Sequence, residues 1–170
     1  MTAFFDQLFY MKETNFSTKA TVYNDVSELT KEEQRLFENA IIARNKAYAP
    51  YSKFSVGAAI LLDNGTIVTG NNQENAAYPS GMCAERVAIW KAGSEFPNMV
   101  VKKVAITASS TEIKVDKPVG PCGACRQTLY EYEFNQKEPI EVIFMGETGK
   151  IIKVQSLASL LPFSFDSSHL

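Results

Sequence analysis

Three cysteines stand where two helices are expected to begin. Cys83 opens the stretch Cys83-Ala84-Glu85-Arg86-Val87-Ala88-Ile89-Trp90, and Cys122 and Cys125 fall within Pro121-Cys122-Gly123-Ala124-Cys125. A thiolate at a helix N-terminus meets the positive end of the macrodipole and unpaired N–H groups, and both lower its pKa. Gly123 reads as the residue that permits a tight backbone, turning both thiolates of the pair inward. Two helix starts that face each other would bring the three sulfurs together. Three protein ligands with one tetrahedral position open is the layout of a catalytic zinc site, whereas a structural site usually has four. The chain has one histidine, His169, next to its last residue, and it reads as a solvated tail residue rather than a fourth ligand.

Glu85 gains a role from this setting. In mid-helix, residues i and i+2 point about 200° apart and could not share a site. At a first turn both side chains can reach past the helix end into the same space. A carboxylate there can take a proton from a water and deliver it elsewhere. Read alone, Glu85 is a first-turn acid favoured by the helix dipole, and the apolar remainder, Val87 to Trp90, reads as core. Arg86 reads either as a surface charge or as a guanidinium offsetting the negative charge of three thiolates. A lone C-x-x-C is also shared by dithiol redox proteins, but that reading leaves Cys83 and Glu85 unexplained. A structural zinc module serving as an interaction domain would need a further ligand, and only His169 is offered.

The elements that must position these groups belong to one core of ordinary composition. The chain has 170 residues, 45% apolar and 21% charged, which suits a folded domain. A net charge of −2 and the lack of a dense Lys/Arg run disfavour a polyanionic partner. Asp6, Gln7 and Lys12 interrupt the apolar opening, so it makes a poor signal peptide, and no stretch is long enough for a membrane span. Three cysteines, an odd and small number, point to a reducing cytoplasm.

Thr30-Lys31-Glu32-Glu33 fits a capping box. Leu36, Ala40, Ala43 and Ala47 follow at helical spacing until Pro50. Residues 54–62 and 66–70 read as a hairpin about Asp63-Asn64-Gly65. Further strands are expected at 100–108, 140–144 and 151–154, and helices from the Cys83 region to about Gly93 and over 123–134. Ser156 caps a short helix. Helices interleaved with apolar strands predict a three-layer α/β/α domain on a mixed five-stranded sheet. Residues 1–25 read as an extension of unknown role, with Phe4, Phe5, Phe9 and Tyr10 expected to pack on the body or on a neighbouring subunit. Residues 26–170 read as the single domain.

C-x-E followed by P-C-x-x-C matches the zinc-deaminase signature, with cysteine in place of the usual histidine. Together with Tyr51-Ser52-Lys53-Phe54-Ser55-Val56-Gly57-Ala58-Ala59, Glu74-Asn75-Ala76, Tyr78-Pro79 and Leu160-Leu161-Pro162-Phe163-Ser164-Phe165, the chain resembles the nucleoside cytidine deaminases of the short, homotetrameric type. The resemblance implies zinc on Cys83, Cys122 and Cys125, with Glu85 as the catalytic proton shuttle. It implies hydrolytic deamination of cytidine and deoxycytidine to uridine and deoxyuridine, with release of ammonia, in pyrimidine salvage. Asn72 and Glu74 would hold the ribose 3′-hydroxyl, Phe54 would line the pyrimidine pocket, and the backbone of Ala76 would help hold the base. Tyr51 and Phe165 would reach the site of a neighbouring subunit, so that a homotetramer shares its active sites. The partner implied is a free nucleoside, with neither nucleic acid nor membrane. Two features depart from the family: residues up to about 25 have no counterpart, and Gly120 stands where many relatives carry serine.

Overall fold

The computed structural model describes residues 12–170; Phe4, Phe5, Phe9 and Tyr10 lie outside them. Helix α1 (Lys31–Arg44) begins at the expected capping box. Thr30 Oγ1 accepts from the Glu33 N–H, and Glu33 Oε2 accepts from the Thr30 N–H. The helix stops at Arg44, short of Ala47 and Pro50: Lys46 and Ala47 turn back onto the Ala43 and Arg44 carbonyls, and from Tyr48 the backbone has other partners. The Tyr48 N–H donates to the Asn72 carbonyl, and the Glu74 N–H donates to the Tyr48 carbonyl.

Strands β2 (Phe54–Leu62) and β3 (Ile67–Asn71) form the predicted hairpin, with Gly65 at φ 82° in its turn. Helix α2 (Ala84–Glu95) leads to β4 (Val101–Ser110), and α3 (Gly123–Gln136) leads to β5 (Glu141–Met145) and β6 (Ile151–Val154). Among the described strands only the β4–β5 pair is parallel. Among the described residues the sheet order is β1-β6-β5-β4-β2-β3, six strands and not the expected five. The added strand, β1 (Ala20–Tyr23), lies within the stretch read as an extension and pairs antiparallel with β6. Its residues are exposed except for the half-buried Tyr23, so no inward-facing apolar pattern announces it.

The three layers follow from the pleat of the central strands. Ala58, Ile60 and Leu62 of β2 face α2 and α3, packing with Ala88, Ile89 and Leu129. Ala59 and Leu61 face α1, packing with Leu36, Phe37 and Ala40. Close approach fixes the helices on the sheet. A Cβ on Gly57 would lie 2.0 Å from the Ala40 carbonyl oxygen of α1, and one on Gly70 would lie 2.5 Å from the Ala88 nitrogen of α2. The second contact seats the helix whose first turn carries Glu85. Within α2, Ala88 and Ile89 are core, but Trp90 is exposed, contrary to the expectation that residues 87–90 are all core. The Arg86 guanidinium lies 5.9 Å from the Trp90 ring centroid and partly covers it.

Candidate active site

Cys83 and Cys122 are the N-cap residues of α2 and α3. Neither makes a side-chain capping bond, so both helices forgo the Ser, Thr, Asp or Asn that usually fills this position. Cys125 sits in the first turn of α3 and is fully buried. The three sulfurs lie within 4.8 Å of one another, with Cys83 Sγ 4.0 Å and Cys125 Sγ 3.5 Å from Cys122 Sγ. Thiolates placed tetrahedrally about 2.3 Å from one zinc ion stand roughly 3.8 Å apart. The donor set and spacing therefore fit zinc. His169 is not part of this cluster; its ring stacks on Phe165 at 5.3 Å.

Gly123 takes no positive φ, and a Cβ there would meet nothing within 4 Å. The expectation that it supplies special backbone freedom is corrected: the helix start itself aims Cys122 and Cys125. Gly120 lines the cleft, and a Cβ there would touch the Phe144 ring at 3.4 Å, an ordinary contact. The departure from serine at this position is therefore not imposed by the packing.

The Cys83 and Cys125 thiols do not hold their protons equally. A hydrogen bond from the Cys125 thiol, against the pull of burial and with help from Arg86, lowers the Cys83 pKa to about 5. The same contact, with burial and the Glu85 charge, raises that of Cys125. Arg86 Nη2 lies 3.6 Å from Cys83 Sγ, while its Nε is buried without a partner among the described residues. A guanidinium held against sulfur is suited to offset thiolate charge. Glu85 is 4% exposed. Burial pushes its carboxyl pKa up, its own backbone N–H opposes this, and the Cys83 thiolate adds to the rise.

These groups open into a cleft of about 820 Å³, within the usual range for small-ligand sites. Cys83, Cys122, Glu85, Arg86, Phe54, Asn72, Glu74 and Tyr51 all line it, so most of the predicted constellation converges. Asn72 and Glu74 continue β3 and are pinned from both sides. Gln73, between them, exchanges backbone hydrogen bonds with Met82, just before α2. Asn72 Oδ1 accepts from the Val56 N–H at 2.7 Å, and Nδ2 donates to the Phe54 carbonyl at 2.9 Å. Glu74 Oε2 accepts from the Tyr51 and Ser52 N–H groups. Hydrogen bonding by Ser52 and then Tyr51 lowers the Glu74 pKa.

Two predicted contacts, Tyr51 and Ala76, sit differently. Tyr51, expected in a neighbour's site, lines the cleft of its own chain, 6.4 Å from the Tyr78 ring. Ala76 is exposed and outside the lining. Phe165, expected at a neighbour's site, is exposed and outside the cleft of its own chain, and its carbonyl accepts from Gln127 Nε2. Val56, Tyr78, Met82, Ile106 and Val119 also line the cleft and were not singled out from the sequence. Val56 and Ile106 read there as ordinary inward positions of strands.

Thiols and one carboxylate converging from two helix starts on such a cleft define the class of zinc-dependent deaminases. Comparison with known proteins agrees. The profile described as the cytidine and deoxycytidylate deaminase zinc-binding region matches residues 30–138. A cytidine deaminase of Halalkalibacterium halodurans is 39% identical over 138 residues, covering 81% of this chain and 96% of that relative. One from Sporosarcina psychrophila is 39% identical over 137 residues, covering 81% and 93%. The crystal structure of cytidine deaminase from Burkholderia pseudomallei superposes with a TM-score of 0.68 at 37% identity, covering 81% of this chain and 100% of that one. The chain belongs to the cytidine and deoxycytidylate deaminase family.

Proposed function

We propose that this chain deaminates free cytidine and deoxycytidine, giving uridine or deoxyuridine and ammonia, in pyrimidine salvage. The observation that carries the reading is the buried Glu85 carboxyl at the same helix start as a three-thiol cluster, within a nucleoside-sized cleft. Cys83, Cys122 and Cys125 would hold zinc, which would supply the Lewis acidity that makes a water nucleophilic at neutral pH.

Glu85 takes the proton that this water sheds and donates it to ring N3, which makes C4 electrophilic. The water oxygen adds at C4 and the carbon becomes tetrahedral. An amide anion is too poor a leaving group to depart, so Glu85 then carries the remaining hydroxyl proton to the amino nitrogen, and ammonia leaves. A carboxyl whose pKa is raised by burial is suited to both halves of this transfer. Arg86, against Cys83 Sγ, offsets thiolate charge.

Phe54 lines the pyrimidine end. Asn72 and Glu74 hold the ribose 3′-hydroxyl. Both polar atoms of the Asn72 amide are engaged with β2, and each keeps further capacity, a second lone pair on Oδ1 and a second N–H on Nδ2. Both protein bonds of Glu74 fall on Oε2, which leaves Oε1 to accept from the sugar. The backbone of Ala76 adds a contact to the base.

A homotetramer with shared sites fits Phe165, 57% exposed and outside the cleft of its own chain. In that assembly Phe165 faces a neighbour's substrate, while Tyr51 lines the cleft of its own chain. A reducing cytoplasm fits a site built of thiols that must stay unoxidised. Residues 26–170 form the deaminase domain, and the stretch 1–25 is an addition that lends one strand to its sheet. Among the described residues, no helix is long and apolar enough to cross a membrane.

The test is ammonia release from cytidine, deoxycytidine and a cytosine-containing oligonucleotide, with zinc measured on the same preparation. Turnover of the free nucleosides at about one zinc per chain is the expected result. Turnover of the oligonucleotide alone would refute the nucleoside reading.

A further inference from the structure

The C-terminal segment that bears Phe165 is tied to the zinc-ligand helix at two points. The Arg126 guanidinium donates from Nε to the Pro121 carbonyl at 2.9 Å and from Nη1 to the Leu160 carbonyl at 3.0 Å. One residue on, Gln127 Nε2 donates to the Phe165 carbonyl at 2.8 Å. Between these tethers lies Phe163, at φ 57°, a left-handed conformation rare for a bulky side chain. Its ring is 86% exposed, and its aromatic contact is the ring of Phe16, with centroids 4.5 Å apart. Two residues further along, Thr18 Oγ1 donates to the Ser159 carbonyl. The chain then enters β1 and is fixed to the sheet edge by β6.

We propose that residues 16–23 are a strap that positions the C-terminal segment, and through it Phe165, for substrate binding. Phe16 and Thr18 are its positioning residues. The strap precedes residue 30, where the match to the family's zinc-binding region begins, so it lies outside that region. β1 anchors one end of it, and Phe16 closes on the single exposed, left-handed aromatic that lies on the link between the Leu160 and Phe165 tethers. Without that contact the link loses the aromatic packing that holds it between the tethers, and Phe165 samples more orientations before it meets the base. The cost of ordering it then falls on substrate binding, which raises KM and leaves the proton transfers of Glu85 unchanged.

The proposal rests on the reading of a nucleoside substrate contacted by Phe165, and the test separates the two. Cytidine kinetics are measured for the unmodified chain, Phe16→Ser, Thr18→Val, Phe165→Ala and the Phe16→Ser/Phe165→Ala double variant, with zinc content and Tm for each. Phe16→Ser raises KM about three- to tenfold with kcat within about twofold, the scale of one aromatic pair. Thr18→Val shifts KM in the same direction, and zinc content stays constant. In the Phe165→Ala background, Phe16→Ser has no further effect on KM. A lower Tm with unchanged KM would make the strap a stability element and overturn the proposal. So would a KM effect that multiplies with that of Phe165→Ala. If the unmodified chain leaves cytidine unconverted, the reading of the reaction fails, and the strap's stated purpose fails with it.

Discussion

Glu85 and Cys83 share a helix start yet titrate in opposite directions. Burial, foremost, raises the carboxyl, while the Cys125 thiol's hydrogen bond, foremost, lowers the thiol. That opposition suits one group to ferry protons and the other to hold a cation. Glu85→Gln keeps the shape of the first turn and the three sulfurs but cannot accept a proton. Turnover should fall by at least about 10²–10⁴-fold, with zinc content and Tm unchanged. Near-normal turnover of the zinc-loaded variant would end the shuttle assignment. Cys122→Ala leaves two sulfurs from two helices, and atomic absorption on the purified protein should show the metal lost. The cysteines stood out in the sequence because a helix start does not otherwise choose them, whereas Glu85, an ordinary first-turn acid, stood out only beside them. Trp90 and Gly123 were misread for the converse reason. An apolar residue in an apolar run gives no hint that an arginine one turn earlier covers it, and a glycine gives no hint that its freedom goes unused.

At the scale of elements, the local signals held and the non-local ones did not. The capping box, the Gly65 turn and the Ser156 cap each involve residues within a few positions of one another, and each is present. Strand β1 depends on pairing with β6 across most of the chain, and its four residues carry no burial pattern of their own. The anchorage of the C-terminal segment was equally hidden, because it converges on one helical acid. Glu133 of α3, buried, accepts from the N–H groups of Ile140 and Leu157 with Oε2, and from the Ala158 N–H and the Ser156 hydroxyl with Oε1. One carboxylate thus fixes the entry to β5 and the exit from β6 against one helix. In Glu133→Gln, one oxygen becomes an NH₂ that faces donors instead of accepting from them. The cost should be about 3 kcal/mol, or a fall in Tm of roughly 6–12 °C for a chain of this size. Thermal unfolding monitored by circular dichroism measures it. A change within about 1 °C would show that water replaces these bonds at no cost.

Across the whole molecule, the α1 layer is locked to the sheet by charge as well as by apolar packing. Glu33, 1% exposed, meets Lys153 of β6 at 2.9 Å and Lys103 of β4 at 3.4 Å, and Lys103 also pairs with Glu141 of β5 at 2.7 Å. Four elements therefore share one ion cluster on the side of the sheet away from the cleft. Desolvation alone would raise the Glu33 carboxyl; the Lys153 hydrogen bond, the Thr30 cap and the Lys103 charge overcome it and bring the pKa to about 2, against an ordinary 4.5. A folded-state pKa below the unfolded one means that the folded state holds its proton less tightly. The stabilisation is therefore complete above about pH 4.5 and is lost as the pH falls through about 2. Glu33→Gln cannot ionise, so the comparison with the unmodified chain isolates this group, while release of metal in acid is common to both. The gap in Tm between the two proteins should be widest near neutrality, begin to narrow below about pH 4.5 and close near pH 2. A gap independent of pH would mean that Glu33 stabilises the molecule through its cap to Thr30 and its packing rather than through its charge.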